Sequence, residues 1–198
     1  MQIPGYSWQA GTPFYGISLV GIMIIKVRYR LGGSLIRQAL ALKRTSDPLD
    51  AGTYDPDAPD GERRLATLRK TEVRWVLQED HPALHDEIGR IVLEHQFRLG
   101  VKVPLRFAGG MQLATYREGH HYDWHPDVCD TDPVKRLVSA SILLTDDFAG
   151  GEFEFKTMDA PKLRKAGDIV LFNSWEVHRV APVTQGVRNS LVAWFMQA

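Results

Sequence analysis

The sequence predicts a mainly β fold of the α+β class, a sandwich or double-sheet jelly roll with helices from the N-terminal half packed on the outside. Two observations support this prediction. From about residue 111 onward, short apolar runs alternate with Gly, Asp and Pro, which is typical of regularly spaced strands. Before residue 100, the apolar residues recur at helical spacing instead. Helices placed before such strands are expected to cover one outer face of a sheet.

The N-terminal half contains four predicted segments. The apolar run 17–25 is expected to be a buried strand, because it is too short to span a bilayer and lacks a preceding basic segment. A helix is expected over 34–43, after a Gly-Gly pair. The Asp- and Pro-rich segment 45–61 should form a loop, and its composition suggests a lid. A second helix should start at Asp80. Three of its histidines are expected to be half-exposed: His81, His85 and His95.

The C-terminal half should supply the strands that hold the chemistry. We predict one domain for the 198 residues, with 1–109 supporting a catalytic core at 110–198. Ligands carried by strands would be held rigidly between the two sheets. The predicted strands are 111–117, 121–125, 137–145, 152–156, 168–172, 177–182 and 188–196.

Composition disfavours several classes of protein. Lys plus Arg and Asp plus Glu each number 24, so the formal net charge is zero. Neither a general nucleic-acid binder nor a protein of anionic membranes is expected from this balance. The single cysteine, Cys129, cannot form an internal disulfide, which favours a cytoplasmic location.

The segment around residues 121–127 contains two overlapping His-x-Asp spacings. Residues two apart in an extended chain point to one side, so His121 with Asp123, or His125 with Asp127, could present nitrogen and oxygen to one ion. Pro126 favours the second pair slightly, because it would end the strand. Both histidines could instead be surface residues. Two imidazoles and one carboxylate would leave three positions of an octahedral iron open for oxygen and a co-substrate.

Two residues further along the chain strengthen the metal hypothesis. His178 opens a predicted strand and could supply the third ligand. Arg188 begins the next strand inside an apolar run, where burial is costly unless the guanidinium is paired with an anion. That anion could be a local aspartate or a dicarboxylate co-substrate, which the planar guanidinium binds bidentately.

The ordered combination of motifs resembles a known family. Tyr116-x-x-Gly119-x-x-Tyr122-x-x-His125-x-Asp127 is followed by Gly150-Gly151-Glu-Phe, by Gly167-Asp168-Ile-Val-Leu-Phe, and by His178 with Arg188 ten residues later. Over residues 110–198 this pattern resembles the Fe(II)- and 2-oxoglutarate-dependent dioxygenases, and most closely their prolyl 4-hydroxylase-like branch. The resemblance implies a double-stranded β-helix (jelly roll) with Fe(II), 2-oxoglutarate and O2 as cofactors, and with ascorbate as a candidate addition.

The resemblance also assigns roles to individual residues. A tyrosine three residues before the metal histidine is common in the family, and Tyr122 stands in that relation to His125. This implies His125, Asp127 and His178 as the iron ligands, and Arg188 as the partner of the distal carboxylate of 2-oxoglutarate. Core packing is the alternative for the aromatic and hydroxyl residues. The remaining implied contacts are Tyr116 and Ser190 with 2-oxoglutarate, and Tyr122, Trp194 and His121 near the metal or the substrate.

The implied activity is hydroxylation of an aliphatic carbon in a prolyl or other amino-acid-type substrate, with decarboxylation of 2-oxoglutarate to succinate. A free amino acid or another small metabolite is an alternative substrate, and a non-catalytic metal-binding jelly roll is an alternative function. A zinc hydrolase is disfavoured, since His-Glu-x-x-His is missing and Arg188 would have no duty. A nucleic-acid demethylase is disfavoured by the neutral net charge. We expect a peptide or small-molecule partner, with no nucleic acid and no membrane.

Overall fold

The computed structural model describes residues 24–45, 47–50, 68–128, 135–157, 159 and 162–198. Residues 17–23 of the first predicted strand, most of the predicted 45–61 loop and Cys129 lie outside the described residues. Within them, the helical segments are α1 (Gly33–Thr45), α2 (Pro82–His95) and a 3₁₀ turn (Gln96–Leu99). Neither described α-helix has both the length and the apolar character that crossing a bilayer requires.

The strands of the described residues are β1 (Ile24–Lys26), β2 (Leu49–Asp50), β3 (Arg69–Lys70), β4 (Glu72–Val76), β5 (Leu105–Phe107), β6 (Met111–Tyr116), β7 (His121–His125), β8 (Arg136–Leu143), β9 (Ala149–Gly150), β10 (Phe153–Phe155), β11 (Ile169–Asn173), β12 (His178–Val180), β13 (Val183–Gln185) and β14 (Arg188–Gln197).

The strands form two main antiparallel sheets, as a jelly roll requires. The larger sheet has the order β1-β11-β8-β14-β6-β4-β2, and β5 adds to β14. The smaller sheet has the order β10-β12-β7-β3, and β9 pairs separately with β13. From β6 onward the strands of the two main sheets alternate along the chain, in the order β6, β7, β8, β10, β11, β12 and β14, which wraps the chain around one interior. The architecture confirms the predicted double-stranded β-helix.

Strand β14 separates the two layers of the interior. Leu191, Ala193 and Phe195 belong to the core that also buries the apolar face of α2. Because side chains alternate along a strand, Arg188 and Trp194 must face the other way, toward the smaller sheet. The helices therefore cover the outer face of the larger sheet, as predicted, and leave its inner face for a site.

The predicted strands and helices agree with the structure to within a few residues. Six strands were not predicted, namely β2, β3, β4, β5, β9 and β13. Strand β4 was missed although polar and apolar residues alternate from Glu72 to Trp75, which is a strand pattern. The expectation of a half-exposed surface position is wrong for His85, which is 1% exposed. Its ring packs 5.0 Å from that of Phe107, and its Nδ1 lies 3.1 Å from the His81 carbonyl, so the helix backbone satisfies a histidine inside the core.

Candidate active site

Three potential metal ligands converge between the sheets. His125 ends β7 and His178 begins β12, and the two residues lie directly opposite each other on these neighbouring strands of the smaller sheet. Asp127 follows two residues after β7, and one ligand atom from each residue lies within 4.8 Å of the others. The two histidine Nε2 atoms lie 3.8 Å from different carboxylate oxygens of Asp127. These distances exceed those of hydrogen bonds, so the three groups face a common centre.

Backbone carbonyls orient both histidines. The Nδ1 of His125 lies 2.7 Å from the carbonyl oxygen of Asp123, and the Nδ1 of His178 lies 2.8 Å from that of Glu176. A carbonyl oxygen can only accept, so each Nδ1 carries the proton and each Nε2 keeps a lone pair for a metal. Burial, reinforced by the neighbouring His178, lowers the pKa of His125 to about 3. The imidazole of His125 is therefore neutral, as a metal ligand must be.

Asp127 is held through its backbone and remains ionised. The Asp127 N–H donates to the Ser174 carbonyl over 2.8 Å, and the Asp127 carbonyl accepts from Arg136 Nη1 over 3.2 Å. Burial alone would raise the pKa of the carboxyl, but the two histidines, the Ser139 hydroxyl and Arg136 together lower it. Within the described residues the Oδ2 atom is buried without a hydrogen-bond partner. An orphaned carboxylate oxygen beside two imidazole lone pairs fits a bound divalent cation such as iron.

A β-bulge separates the two overlapping His-x-Asp pairs. His178 faces His125 but Val180 faces Tyr122, so β7 contains one residue more than β12 over this stretch. The extra residue brings Tyr122 and His125 to the same side, where their rings stack with centroids 3.3 Å apart. Asp123 is exposed, and its carboxylate accepts a hydrogen bond from the Trp124 N–H. The structure thus brings His125 and Asp127, rather than Asp123, together with His178.

His121 lies at the opposite end of β7 from His125. It pairs with Lys70 of β3, and its Nδ1 lies 3.4 Å from the Gly119 carbonyl. His121 is therefore separated from the metal ligands along β7, and its substrate-facing role stays a prediction.

Arg188 is a buried cation that still lacks an anion. It is 1% exposed, and its Nη1 donates to Ser190 Oγ over 2.9 Å. Its guanidinium lies over the Tyr116 ring, 5.4 Å from the centroid. Within the described part of the chain, Arg188 forms no ion pair and its Nε is buried without a partner. Burial lowers the pKa of this arginine. The local aspartate that the sequence allowed as its partner is not observed among these residues.

Gly151 leaves room for the Arg188 side chain. Its φ is +63°, and a Cβ at this position would lie 3.0 Å from both Arg188 Cδ and Val183 Cγ2. The Gly-Gly pair is therefore more than a turn, because its second residue contacts the buried arginine directly.

A cavity of about 540 Å³ lies beside this arginine. Phe153 and Phe155, which also line it, contact the ring of His178 with centroid distances of 5.2 and 5.9 Å. The cavity therefore adjoins both Arg188 and the aromatic residues that surround one metal ligand. Its volume is sufficient for a small dicarboxylate bound at the arginine.

Two arginines and a tryptophan border the metal end of the interior, which is the part around His125, Asp127 and His178. The guanidinium of Arg136 lies 4.3 Å from the centroid of Trp194, and that of Arg69 lies 4.5 Å from the centroid of Tyr122. Arg69 also donates to the side chain of Gln112. Three N–H groups here are buried without partners among the described residues: Arg69 Nε, Arg136 Nε and Trp194 Nε1.

Sequence reasoning missed the residues that act through the backbone. Ser174 and Asp123 serve the ligands through their carbonyls, and a carbonyl carries no signal of residue type. Arg136 was detectable in principle, since it directly precedes the predicted strand 137–145, whereas Arg69 lies outside every predicted element. Nothing in their spacing linked them to the metal.

Comparisons with known proteins agree with this geometry. A family model described as the 2OG-Fe(II) oxygenase superfamily matches residues 111–196. A PKHD-type hydroxylase of Synechococcus sp. (strain CC9311) is 30% identical over 115 residues, which are 56% of this chain and 52% of that protein. A PKHD-type hydroxylase of Xylella fastidiosa (strain M12) is 31% identical over 139 residues, covering 60% of this chain and 58% of the relative. The chain thus spans little more than half the length of these relatives.

Solved structures extend the likeness of the fold to most of the chain. A viral collagen prolyl hydroxylase from Paramecium Bursaria Chlorella virus-1 superposes with a TM-score of 0.66 at 20% identity, covering 90% of this chain and 98% of the other. A Pseudomonas putida prolyl-4-hydroxylase gives a TM-score of 0.65 at 24% identity, with coverages of 89% and 93%. Residues 111–196 are therefore similar to the 2OG-Fe(II) oxygenase superfamily, and the chain has the double-stranded β-helix fold that is also found in the prolyl hydroxylases.

Proposed function

We propose that this protein is an Fe(II)- and 2-oxoglutarate-dependent hydroxylase that acts on an aliphatic carbon of a prolyl or other amino-acid-type substrate. The observation that carries the proposal is the combination of a three-ligand centre with an unpaired buried arginine, which lines a cavity next to the aromatic residues around His178. A metal-binding protein without this chemistry would need the three ligands but not the arginine.

His125, Asp127 and His178 would hold the iron. Three protein ligands leave coordination positions for a co-substrate and for oxygen. Bound iron together with 2-oxoglutarate would supply oxygen activation coupled to the oxidative decarboxylation that yields succinate. The chain contributes fixed donor atoms, since the Asp123 and Glu176 carbonyls keep both Nε2 lone pairs directed at the centre.

Arg188 would bind the distal carboxylate of 2-oxoglutarate. Its free Nε–H and its Nη groups can donate to both carboxylate oxygens, which compensates the buried charge. Ser190 orients one Nη group, and the Tyr116 ring packs against the guanidinium. Arg188, Ser190 and Tyr116 are all buried, so a co-substrate bound here would be shielded from water. Exclusion of water would limit decarboxylation that is not coupled to hydroxylation.

The donors at the metal end favour a substrate with carbonyl or carboxylate oxygens. The unpartnered N–H groups of Arg69, Arg136 and Trp194 are matched by the acceptors of a peptide backbone or of a free amino acid. Buried donors reject ligands that leave them unsatisfied, so a plain hydrocarbon would bind poorly. The names of the relatives and neighbours, PKHD-type hydroxylase and prolyl-4-hydroxylase, point to the same substrate class.

The test is a turnover assay under air with Fe(II) and 2-oxoglutarate, run separately against a proline-rich peptide pool and a pool of free amino acids. We expect one added oxygen in a substrate by mass spectrometry, together with an equal amount of succinate. His125→Ala should abolish both products. Succinate formation without an oxidised substrate in either pool would contradict the substrate class. Neither product, from protein that binds iron, would favour a non-catalytic metal-binding jelly roll.

A further inference from the structure

The side chain of Asp123, a residue of the β-bulge in β7, stabilises that bulge. Asp123 and Trp124 lie between Tyr122 and His125, where β7 runs one residue ahead of β12. A bulge leaves a backbone N–H without its regular ladder partner. The N–H of Trp124 donates instead to Asp123 Oδ1 over 2.8 Å, and the N–H of Asp123 donates to the Leu68 carbonyl over 2.7 Å. Both hydrogen bonds fix the backbone of the bulge.

One peptide group links this bulge to the metal ligand. The Trp124 N–H and the Asp123 carbonyl belong to the same planar unit, so fixing one end fixes the other. That carbonyl accepts the hydrogen bond from His125 Nδ1 over 2.7 Å. If the peptide plane rotated, His125 would lose the acceptor that determines its tautomer and ring orientation. The exposed Asp123 carboxylate thereby acts on the buried imidazole through a single peptide group.

The second ligand histidine is oriented by a different device. His178 Nδ1 donates to the Glu176 carbonyl, and Glu176 is 4% exposed. The Glu176 N–H donates to the Asn173 carbonyl, so a backbone turn holds this residue. Its carboxylate accepts a hydrogen bond from Thr157 Oγ1, and among the described residues no hydrogen bond from it to the Glu176–Val177 peptide group is observed. Two carbonyls orient the ligand histidines, those of Asp123 and Glu176. Among the described residues, only the peptide group of the Asp123 carbonyl is observed to be held by a side-chain hydrogen bond.

We propose that Asp123 is a positioning residue for the metal centre. Its carboxylate holds the Asp123–Trp124 peptide so that the carbonyl keeps His125 in the Nδ1–H tautomer, with Nε2 directed toward Asp127 and His178. The inference deepens the proposed function by naming a determinant of its metal site, and it rests on that function only for the identity of the ion.

The experiment measures metal binding by the apoprotein and needs no substrate. Co(II) is titrated into wild-type and variant proteins, and its d–d absorption reports both affinity and ligand geometry. Removing an outer partner of a ligand histidine typically weakens metal binding about 10- to 100-fold. We expect that loss in Asp123→Ala, together with a changed d–d spectrum at saturation. Asp123→Asn keeps an acceptor for the Trp124 N–H and should bind within about threefold of wild type, because the hydrogen bond and not the charge is required.

Two further variants separate positioning from general stability. Asp86→Ala removes an exposed aspartate from α2 and should leave Co(II) affinity and spectrum unchanged. If Asp123→Ala does not fold, Asp123→Val also removes the acceptor and favours the extended backbone of a strand, and it should show the same weakening. Wild-type affinity in Asp123→Ala or Asp123→Val would overturn the proposal. So would equal weakening in Asp123→Asn, which would indicate the charge, or in Asp86→Ala. Since no turnover is measured, a failed hydroxylase assay would leave this inference standing.

Discussion

The proposed metal end of the interior, around His125, Asp127 and His178, and the Arg188 end satisfy their polar groups in opposite ways. At the metal end, backbone carbonyls orient both histidines, and the backbone of Asp127 is bonded on both sides. At the other end, a fully buried guanidinium has one neutral hydroxyl partner and no carboxylate among the described residues. The first region is organised before binding, whereas the second carries a charge that only an anion can compensate.

This difference has a consequence for stability. Neutral imidazoles cost little to bury, but an unpaired cation costs several kcal/mol in a low-dielectric interior, by order of magnitude. Such a cost is tolerated at binding sites because the ligand removes it. Substitutions at the two ends should therefore separate loss of function from loss of stability.

Asp127→Ala should have the largest effect. It deletes the only carboxylate of the ligand group and leaves two neutral imidazoles, which bind iron weakly. We expect the metal affinity and the rate of succinate formation each to fall by about a thousandfold or more. Titration of Fe(II) under anaerobic conditions and a succinate assay measure the two. Asp80→Ala, in an exposed turn, is the matched control. Substantial turnover in Asp127→Ala would show that another carboxylate completes the centre.

Arg188→Met should separate the two ends most clearly. Loss of a charge-assisted, bidentate contact should weaken 2-oxoglutarate binding by about 2–3 kcal/mol, near a hundredfold. Replacement of the unpaired cation by a similar apolar volume should leave the apoprotein equally stable or more stable, by about 1–3 kcal/mol. Calorimetric titration with 2-oxoglutarate and denaturant unfolding provide the measurements.

Arg106→Met, on the exposed side of β5, should change neither quantity. Metal affinity should be unaltered in both variants. If Arg188→Met destabilises the apoprotein strongly, the guanidinium is already paired in the free protein, and the contrast between the two ends fails.

Gly151→Ala tests whether the position of the Arg188 side chain matters for binding 2-oxoglutarate. A Cβ at this position would press on Arg188 Cδ, so we expect about a tenfold rise in KM for 2-oxoglutarate and a cost of about 1 kcal/mol from the positive φ. Gly119→Ala is a close control, since Gly119 has a φ of +75° and open space around its Cβ position. Steady-state kinetics should show a raised KM only for the first variant. An equal rise in both would assign the effect to backbone strain.

His121→Ala should have the smallest effect. The residue lies at the far end of β7 from His125 and pairs with Lys70 of β3, so turnover and metal affinity should change less than about twofold. His125→Ala in the same assays should abolish turnover. The reverse result would identify His121 as the ligand and would contradict the arrangement of the metal end.

Much of the fold was predictable because its signals are local. Short runs separated by Gly, Asp and Pro located the β6, β7, β8, β11 and β14 strands, and helical spacing located α2. Strand β4 carried a local signal that was missed, since polar and apolar residues alternate from Glu72 to Trp75. The two-residue strands β2, β3 and β9 are too short for any periodicity and are defined by their pairing. The burial of Arg188 was also predictable, since it lies at the start of an apolar run.

The sequence by itself determined the type of fold, the inventory of metal-binding side chains and the presence of one costly arginine. These follow from residue type and from short-range periodicity. Spacing within the strand left both His-x-Asp pairs open, because plain alternation treats them alike, and the family resemblance only implied the second pair. The tertiary structure decided that His125 and Asp127 are the pair that lies with His178. The choice depends on a one-residue bulge, which arises from pairing with β12 and with β3 and is therefore invisible to spacing within β7. Likewise, only the packing showed that the partner of Arg188 is a hydroxyl and a ring, since a buried charge finds its neighbours across strands rather than along the chain.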